Sequence, residues 1–429
     1  MSKAVPSFLS FATRDAPGHP NCFMRQDSIW LVRNIDGLLF GLALCTVTMS
    51  IAIAESLLAG SLVFRVITIA RGQASVYFPR AFWFWLAWAT LELVVWILSP
   101  QPRLGEGEMR HLALIGALFL LVPTLNRASN WVAVWRGIAV TASISSLVLI
   151  GHFAWQLRSY HGTLDPVVYL RSGGLLHHWM VYSTVEILVL AGLLGLWDLA
   201  PDERSWLLPV FAINAVAIVL SLTRMLWVCS AAMFCLHLAW RRSRWLWTIP
   251  AVVCIAFWIA PGAVRARVTE SMRADYYPNA ERIQMLRVGW KMIRDHPLTG
   301  VGPGGVAELY TKYLSASDPI PAFHGHLHNN LVQLAAELGI PVAMAATLFV
   351  AILFRELRCA WLRAPDREQK FLCRTAVLGL SGFVVSGLFD YTYGHSLGII
   401  LLTSMALAPL VSTTKTPDQL LQYPATLRK

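Results

Sequence analysis

The chain is 429 residues long, 56% hydrophobic and 14% charged, with 18 tryptophans and a mean hydropathy of +0.55. That much apolar surface exceeds what one water-soluble core can hide, which excludes an ordinary soluble globular protein and makes lipid the solvent for most of the chain. The formal net charge of +11 is largely a membrane-orientation signal facing anionic lipid, so it calls for no nucleic-acid partner and DNA or RNA binding is rejected.

The first 34 residues contain Pro6, Pro17 and Pro20 and no leading apolar run. They are expected to form a cytoplasmic segment without a cleavable signal peptide, leaving the first span as the insertion signal. Crossing the hydrocarbon takes about 20 apolar residues in a helix, because every backbone polar group there must be bonded within the segment. Twelve such runs follow, near residues 35–54, 56–70, 80–98, 111–126, 131–157, 180–198, 206–222, 224–240, 244–260, 330–354, 374–390 and 395–411. The joins at 55 and 223 are tight enough to be re-entrant turns.

With the N-terminus inside, most of the 35 Lys and Arg fall on the cytoplasmic side, and the short outer loops hold only Arg103, Arg110, Arg158 and Arg171. The expected fold is an all-α integral membrane protein of about twelve transmembrane helices. Spans one to nine cover 35–260, an outer loop 261–329, spans ten to twelve 330–411, and a cytoplasmic tail 412–429. The seven cysteines lie in spans or cytoplasmic segments, so no outer disulfide framework is expected, and no pair has zinc-ligand spacing. Glu55, Arg65, Glu92 and Glu186 lie in or near spans and are read as pairing structurally rather than as an ion path.

The outer loop is the one long interruption, and connections of that length are usually functional or contain elements of their own. Pro261 and Gly262 open it, and Tyr276 to Asn279 read as a turn. Glu281 to Asp295 reads as a helix with Ile283, Leu286, Trp290 and Ile293 at three-to-four spacing, ended by His296 and Pro297. The glycine-rich Leu298 to Gly305 resembles a phosphate-cradling loop only superficially. A helix rather than a strand leads into it, and Pro303 removes a donor, so a tight turn that repositions the chain over the bundle is the better reading. A second helical stretch, Val306 to Leu314, and a proline-marked loop lead to Phe323-His-Gly-His-Leu-His-Asn-Asn330, at the N-terminus of the tenth span.

His324, His326 and His328 are open to three readings: metal ligands, interface histidines, or a catalytic base. The alternate spacing is unlike the i, i+4 pairs typical of helical zinc sites, so no metal is expected. A neutral imidazole suits removal of a proton from a hydroxyl nucleophile, and His328 is favoured because a helix N-terminus disfavours the imidazolium. Arg224 opens the eighth span at its outer end, and an arginine at membrane depth marks a function or a paired charge by default. Arg282, Arg287, Lys291 and Arg294 lie on the loop helix. Such a stripe is often only a solvated face, but together with Arg224 it points to an anion, since guanidinium grips phosphate oxygens in a bidentate manner. Asp390, at the outer end of the eleventh span, can accept from an arginine, orient His328, or cap the following helix.

Three blocks of this chain resemble the O-antigen ligase and polymerase superfamily of bacterial inner-membrane proteins, the O-antigen ligases most closely. They are Ser221-Leu-Thr-Arg-Met-Leu-Trp227; Glu281-Arg-Ile-Gln-Met-Leu-Arg-Val-Gly-Trp290 with Asp295-His-Pro-Leu-Thr-Gly-Val-Gly302; and His328-Asn329 followed by Gly339. Val342 stands where family ligases have a further glycine. The resemblance implies a C-type glycosyltransferase fold that needs neither metal nor nucleotide sugar. It implies transfer of a glycan from undecaprenyl diphosphate to a hydroxyl of the lipid A-core at the periplasmic face of the inner membrane. The family's essential histidine falls on His328, its span-end arginine on Arg224, and its loop arginine on Arg282 or Arg287, with Asp390, His326, His324 and Lys291 as supporting groups. The same resemblance admits an O-antigen polymerase or a protein O-oligosaccharyltransferase, and a lipid-linked glycan transporter is the alternative from outside the enzymes.

Overall fold

The computed structural model describes residues 34–162, 169–273, 276–315, 318–319 and 325–412, so the N-terminal segment, the tail beyond 412 and His324 lie outside the described residues. Among the described residues every regular element is helical: α1 (Asn34–Thr46), α2 (Ile51–Ala70), α3 (Arg80–Leu98), α4 (Arg110–Leu121), α5 (Ala128–Arg158), α6 (Trp179–Leu199), α7 (Arg204–Leu220), α8 (Arg224–Trp240), α9 (Ile249–Ile259), α10 (Gly262–Ser271), α11 (Tyr277–Asp295), α12 (Gly305–Leu309), α13 (Asn330–Arg363), α14 (Arg367–Ser386) and α15 (Ser396–Val411).

Among the described residues six helices are long and apolar enough to cross a membrane: α2, α3, α5, α6, the Pro201–Leu220 segment containing α7, and α13; five more are apolar but shorter. The outward faces are apolar too, with Trp83, Ile97 and Leu98 each more than 60% exposed and no residue of α9 buried. Faces of that kind are stable only against lipid, so the chain is a multi-pass membrane protein. Its centre is α6, nearly all of whose residues from Tyr182 to Leu196 are buried, packed against α14 and α15. A helix apolar on every side belongs in such a core.

The first join lies at residues 47–50 rather than at 55, because Ser50 ends the turn and caps α2, its hydroxyl accepting from the Ile53 N–H at 3.4 Å. The join at 223 stands, with Leu220 closing α7 and Thr223 preceding α8. The intramembrane charges pair where partners exist: Arg65 with Asp36 at 3.7 Å, Arg110 with Glu55, and His111 with Glu92 at 2.9 Å.

In the outer segment the expected helix forms, starting at Tyr277 with Pro278 in its first turn, where the missing N–H costs nothing. Its buried face is not the expected one. Ile283, Leu286 and Trp290 are exposed, and Met285, Val288, Met292 and Ile293 pack with Val306, Tyr310 and Leu327. Both sets recur at helical spacing, and periodicity alone does not choose between two apolar stripes. Gly289 lets the helix sit close: a Cβ there would come within 2.7 Å of Leu327 and 2.6 Å of Val332.

The glycine-rich loop after α11 is spent on the bundle. Gly339 breaks α13 with φ 84° and ψ 166°, and the carbonyls freed by the break accept from loop N–H groups, Ala336 from Val301 at 2.8 Å and Glu337 from Gly302 at 2.9 Å. In return the Ile340 N–H donates to the Pro297 carbonyl at 2.8 Å. The loop therefore repairs a broken helix, as buried backbone groups require, and those N–H groups are committed to carbonyls rather than to phosphate.

Candidate active site

Asn329 caps α13, its side chain accepting from the Val332 N–H at 3.0 Å and donating to the Leu388 carbonyl at 3.1 Å. Asn330 donates from its backbone N–H to the Gly387 carbonyl at 2.7 Å and from its side chain to Thr392 Oγ1 at 3.0 Å. The Asn-Asn pair thereby stitches the start of α13 to the connection between α14 and α15, which carries Asp390. His328 stands immediately before the cap, with φ 48°, a left-handed conformation rare outside glycine and often found where side-chain aim is under tight constraint.

That aim brings His328 Nδ1 to 2.6 Å from Asp390 Oδ1. Asp390 is 1% exposed and its Oδ1 also accepts from the Tyr391 N–H at 2.9 Å. Burial on its own raises a carboxyl pKa, but the bond from His328 and the nearby His326 and His395 outweigh it, so Asp390 lies below its ordinary value. An ionised carboxylate only accepts, so in this bond His328 Nδ1 is the donor. Asp390 caps neither the short 3-10 turn at Thr392–Gly394, whose N-cap is Tyr391, nor the helix from Ser396, whose N-cap is His395.

His326 packs edge-on to His328 with ring centroids 4.3 Å apart, and beyond it Tyr391 donates from its hydroxyl to Glu108 Oε2 at 2.9 Å. Nitrogens of His326 and His328 and an oxygen of Asp390 lie within 4.8 Å of one another, so these three could together hold a metal ion.

Arg224, the first residue of α8, donates from Nη1 to the Asn279 side-chain carbonyl and lies 5.7 Å from the Tyr276 ring centroid. Arg267 on α10 approaches the same ring at 5.6 Å and donates to its hydroxyl. Arg282, less than one turn beyond Asn279 on α11, is lowered from the usual arginine value by burial, while Asp390 favours its charge and Arg267 opposes it. Arg171, between α5 and α6, is pushed down to about 10 by burial and then by Arg267, Arg224 and Arg282. Like charges gathered in this way disfavour one another, and an anion among them relieves that repulsion.

Of the residues singled out from the sequence, the fold gathers His328, His326, Asp390, Arg224 and Arg282. Arg287 and Lys291 stand apart. Five residues turn a helix by roughly 140°, so Arg287 faces solvent on another side of α11, and Lys291 ties that helix to the following connection through the Tyr313 carbonyl at 3.0 Å. Arg171 and Arg267 join the site without having been marked by any motif. Arg171 had registered only as one of few positive charges in a short outer loop, and nothing in its local sequence tells it from an orientation signal.

Fold and site together define a multi-pass helical membrane protein with a histidine–aspartate pair beside an arginine cluster at one end of its bundle. Residues 209–347 match the family model described as O-antigen ligase, a likeness consistent with the O-antigen ligase and polymerase superfamily. No curated protein matches the chain. The matched stretch includes Arg224, Arg282 and His328; Asp390 and Arg171 lie outside it.

Proposed function

We propose that the protein is an O-antigen ligase, a metal-independent inverting glycosyltransferase. It moves the O-antigen polysaccharide from undecaprenyl diphosphate to a hydroxyl of the lipid A-core at the periplasmic face of the inner membrane. It crosses the membrane about twelve times, in a C-type glycosyltransferase arrangement. The observation that carries the reading is the His328–Asp390 hydrogen bond beside Arg224 and Arg282.

The acceptor hydroxyl oxygen attacks the anomeric carbon as its proton passes to His328 Nε2. The bond from that carbon to the diphosphate oxygen breaks, and the diphosphate leaves with the electron pair. Asp390 holds the ring in the required tautomer and stabilises the imidazolium that forms. Arg224 and Arg282 supply preorganised positive charge where the leaving group becomes more negative, the task a metal performs elsewhere. An apolar cavity lined by Leu334, Phe349, Leu353, Phe383 and Leu388 opens beside Asn330 and Gly387, and its chemistry suits the polyprenyl chain of a lipid-linked donor.

The test is purified protein supplied with labelled undecaprenyl-diphosphate glycan and lipid A-core. Transfer to the core that is abolished by His328→Ala with donor binding retained supports the reading. Chain lengthening without transfer to the core assigns the protein to polymerisation instead, and unimpaired transfer by His328→Ala refutes the base.

A further inference from the structure

We propose that Arg171 is a further anion-binding residue and that it makes the site select diphosphate-linked over monophosphate-linked lipid. This rests on the donor reading above.

The backbone around Arg171 is a fixed point. Ser172 Oγ lies 3.3 Å from His152 Nδ1 and accepts from the Gly174 N–H at 3.2 Å, while the Leu175 N–H donates to Ser145 Oγ at 3.3 Å. Leu170 is 1% exposed and packs with Phe153, Leu222 and Val264. A side chain on such an anchor is aimed rather than trailing in solvent. Its guanidinium reaches the Leu222 carbonyl through Nη2 at 3.4 Å and lies 5.3 Å from the Trp179 ring, and its buried Nε has no hydrogen-bond partner among the described residues.

No described carboxylate forms an ion pair with Arg171, Arg224 or Arg267, and the nearby Asp390 is already engaged by His328. Asp390 and Glu281 favour the charge on Arg282, and four guanidiniums against two carboxylates still leave a surplus of positive charge. Each phosphate of a bound donor carries negative charge, and the departing diphosphate gains more as the glycosyl bond breaks, so a second phosphate answers that surplus better than one alone. Arg171 Nη2 reaches the carbonyl of Leu222, two residues before Arg224 at the start of α8, so its buried Nε, unpartnered among the described residues, is a donor near Arg224 for a second phosphate.

The experiment measures binding of a long-chain prenyl diphosphate and of the matching prenyl monophosphate to full-length protein in nanodiscs. Wild type is expected to prefer the diphosphate. Arg171→Gln is expected to weaken diphosphate binding by about 10- to 100-fold, the loss of one charge-assisted contact, and monophosphate binding far less. Should Arg171→Gln not fold, Arg171→Lys keeps the charge without the fork and is expected to narrow the same preference. Equal weakening of both ligands, or no change in either, overturns the role of Arg171 while an effect of Arg224→Gln leaves the donor reading standing. Failure of wild type to bind the diphosphate sinks that reading and this one together.

Discussion

Asp390 and His328 are 62 positions apart in the chain and meet at 2.6 Å, brought together by the Asn329 and Asn330 side chains that bind the start of α13 to the connection after α14. The arrangement gives one imidazole a defined tautomer in a largely buried setting.

If orientation of His328 is what Asp390 contributes, Asp390→Asn lowers the transfer rate by on the order of 10²-fold with donor affinity nearly unchanged. Single-turnover transfer measured beside equilibrium donor binding separates the two, and an equal fall in affinity would argue against a positioning role.

Arg282 and Arg287 sit on different faces of α11, so their replacement has unequal effects. Arg282→Ala weakens donor binding by about 10-fold or more, as loss of a charge-assisted contact does. Arg287→Ala, at an exposed position, leaves binding within about twofold of wild type on the usual scale for surface charges. Titration of both variants with prenyl diphosphate checks this.

Gly339 adopts φ 84° and ψ 166°, a region open essentially to glycine alone, and a Cβ there would fall 2.2 Å from the Leu298 carbonyl oxygen. Gly339→Ala is expected to cost about 1–3 kcal/mol or more, read as a lower melting temperature in detergent. Gly107→Ala, where a Cβ meets nothing within 4 Å, serves as the control and should melt like wild type.

Burial, and then the neighbouring His328, push His326 from 6.5 down to about 4. The unfolded chain takes up a proton near 6.5 that the folded protein resists until about 4, so stability from this residue is full above 6.5 and is lost as pH falls from there toward 4. Melting temperatures across that window should decline less in His326→Gln than in wild type, and parallel curves would count against it.

The closeness of His326, His328 and Asp390 makes chelation a sharp test. With the hydrogen-bonded pair as the working form, glycan transfer survives EDTA. Loss of transfer that zinc restores would convert the triplet into a metal centre.

Much of the helical plan was legible because apolar runs of helix length have few alternatives in lipid. The first join was misplaced because Ala-Glu-Ser at 54–56 interrupts the run more visibly than Ser50, whose hydroxyl makes the cap. The buried face of α11 was misread for a different reason. Ile283, Leu286 and Trp290 form as good a stripe as Met285, Val288 and Met292, and only the position of Leu327 and Val306 decides which is covered.

By itself the sequence determined that this is a helical membrane protein with His328 at a helix start and Arg224 at a span end, because hydropathy, capping and the cost of charge in lipid act over a few residues at a time. The tertiary structure alone decided that Asp390 would meet His328, that Arg282 rather than Arg287 would come near Asp390, and that Arg171 would join Arg267 and Arg224. Those relations depend on helix rotation and on contacts between distant segments, neither of which a local pattern of residues encodes.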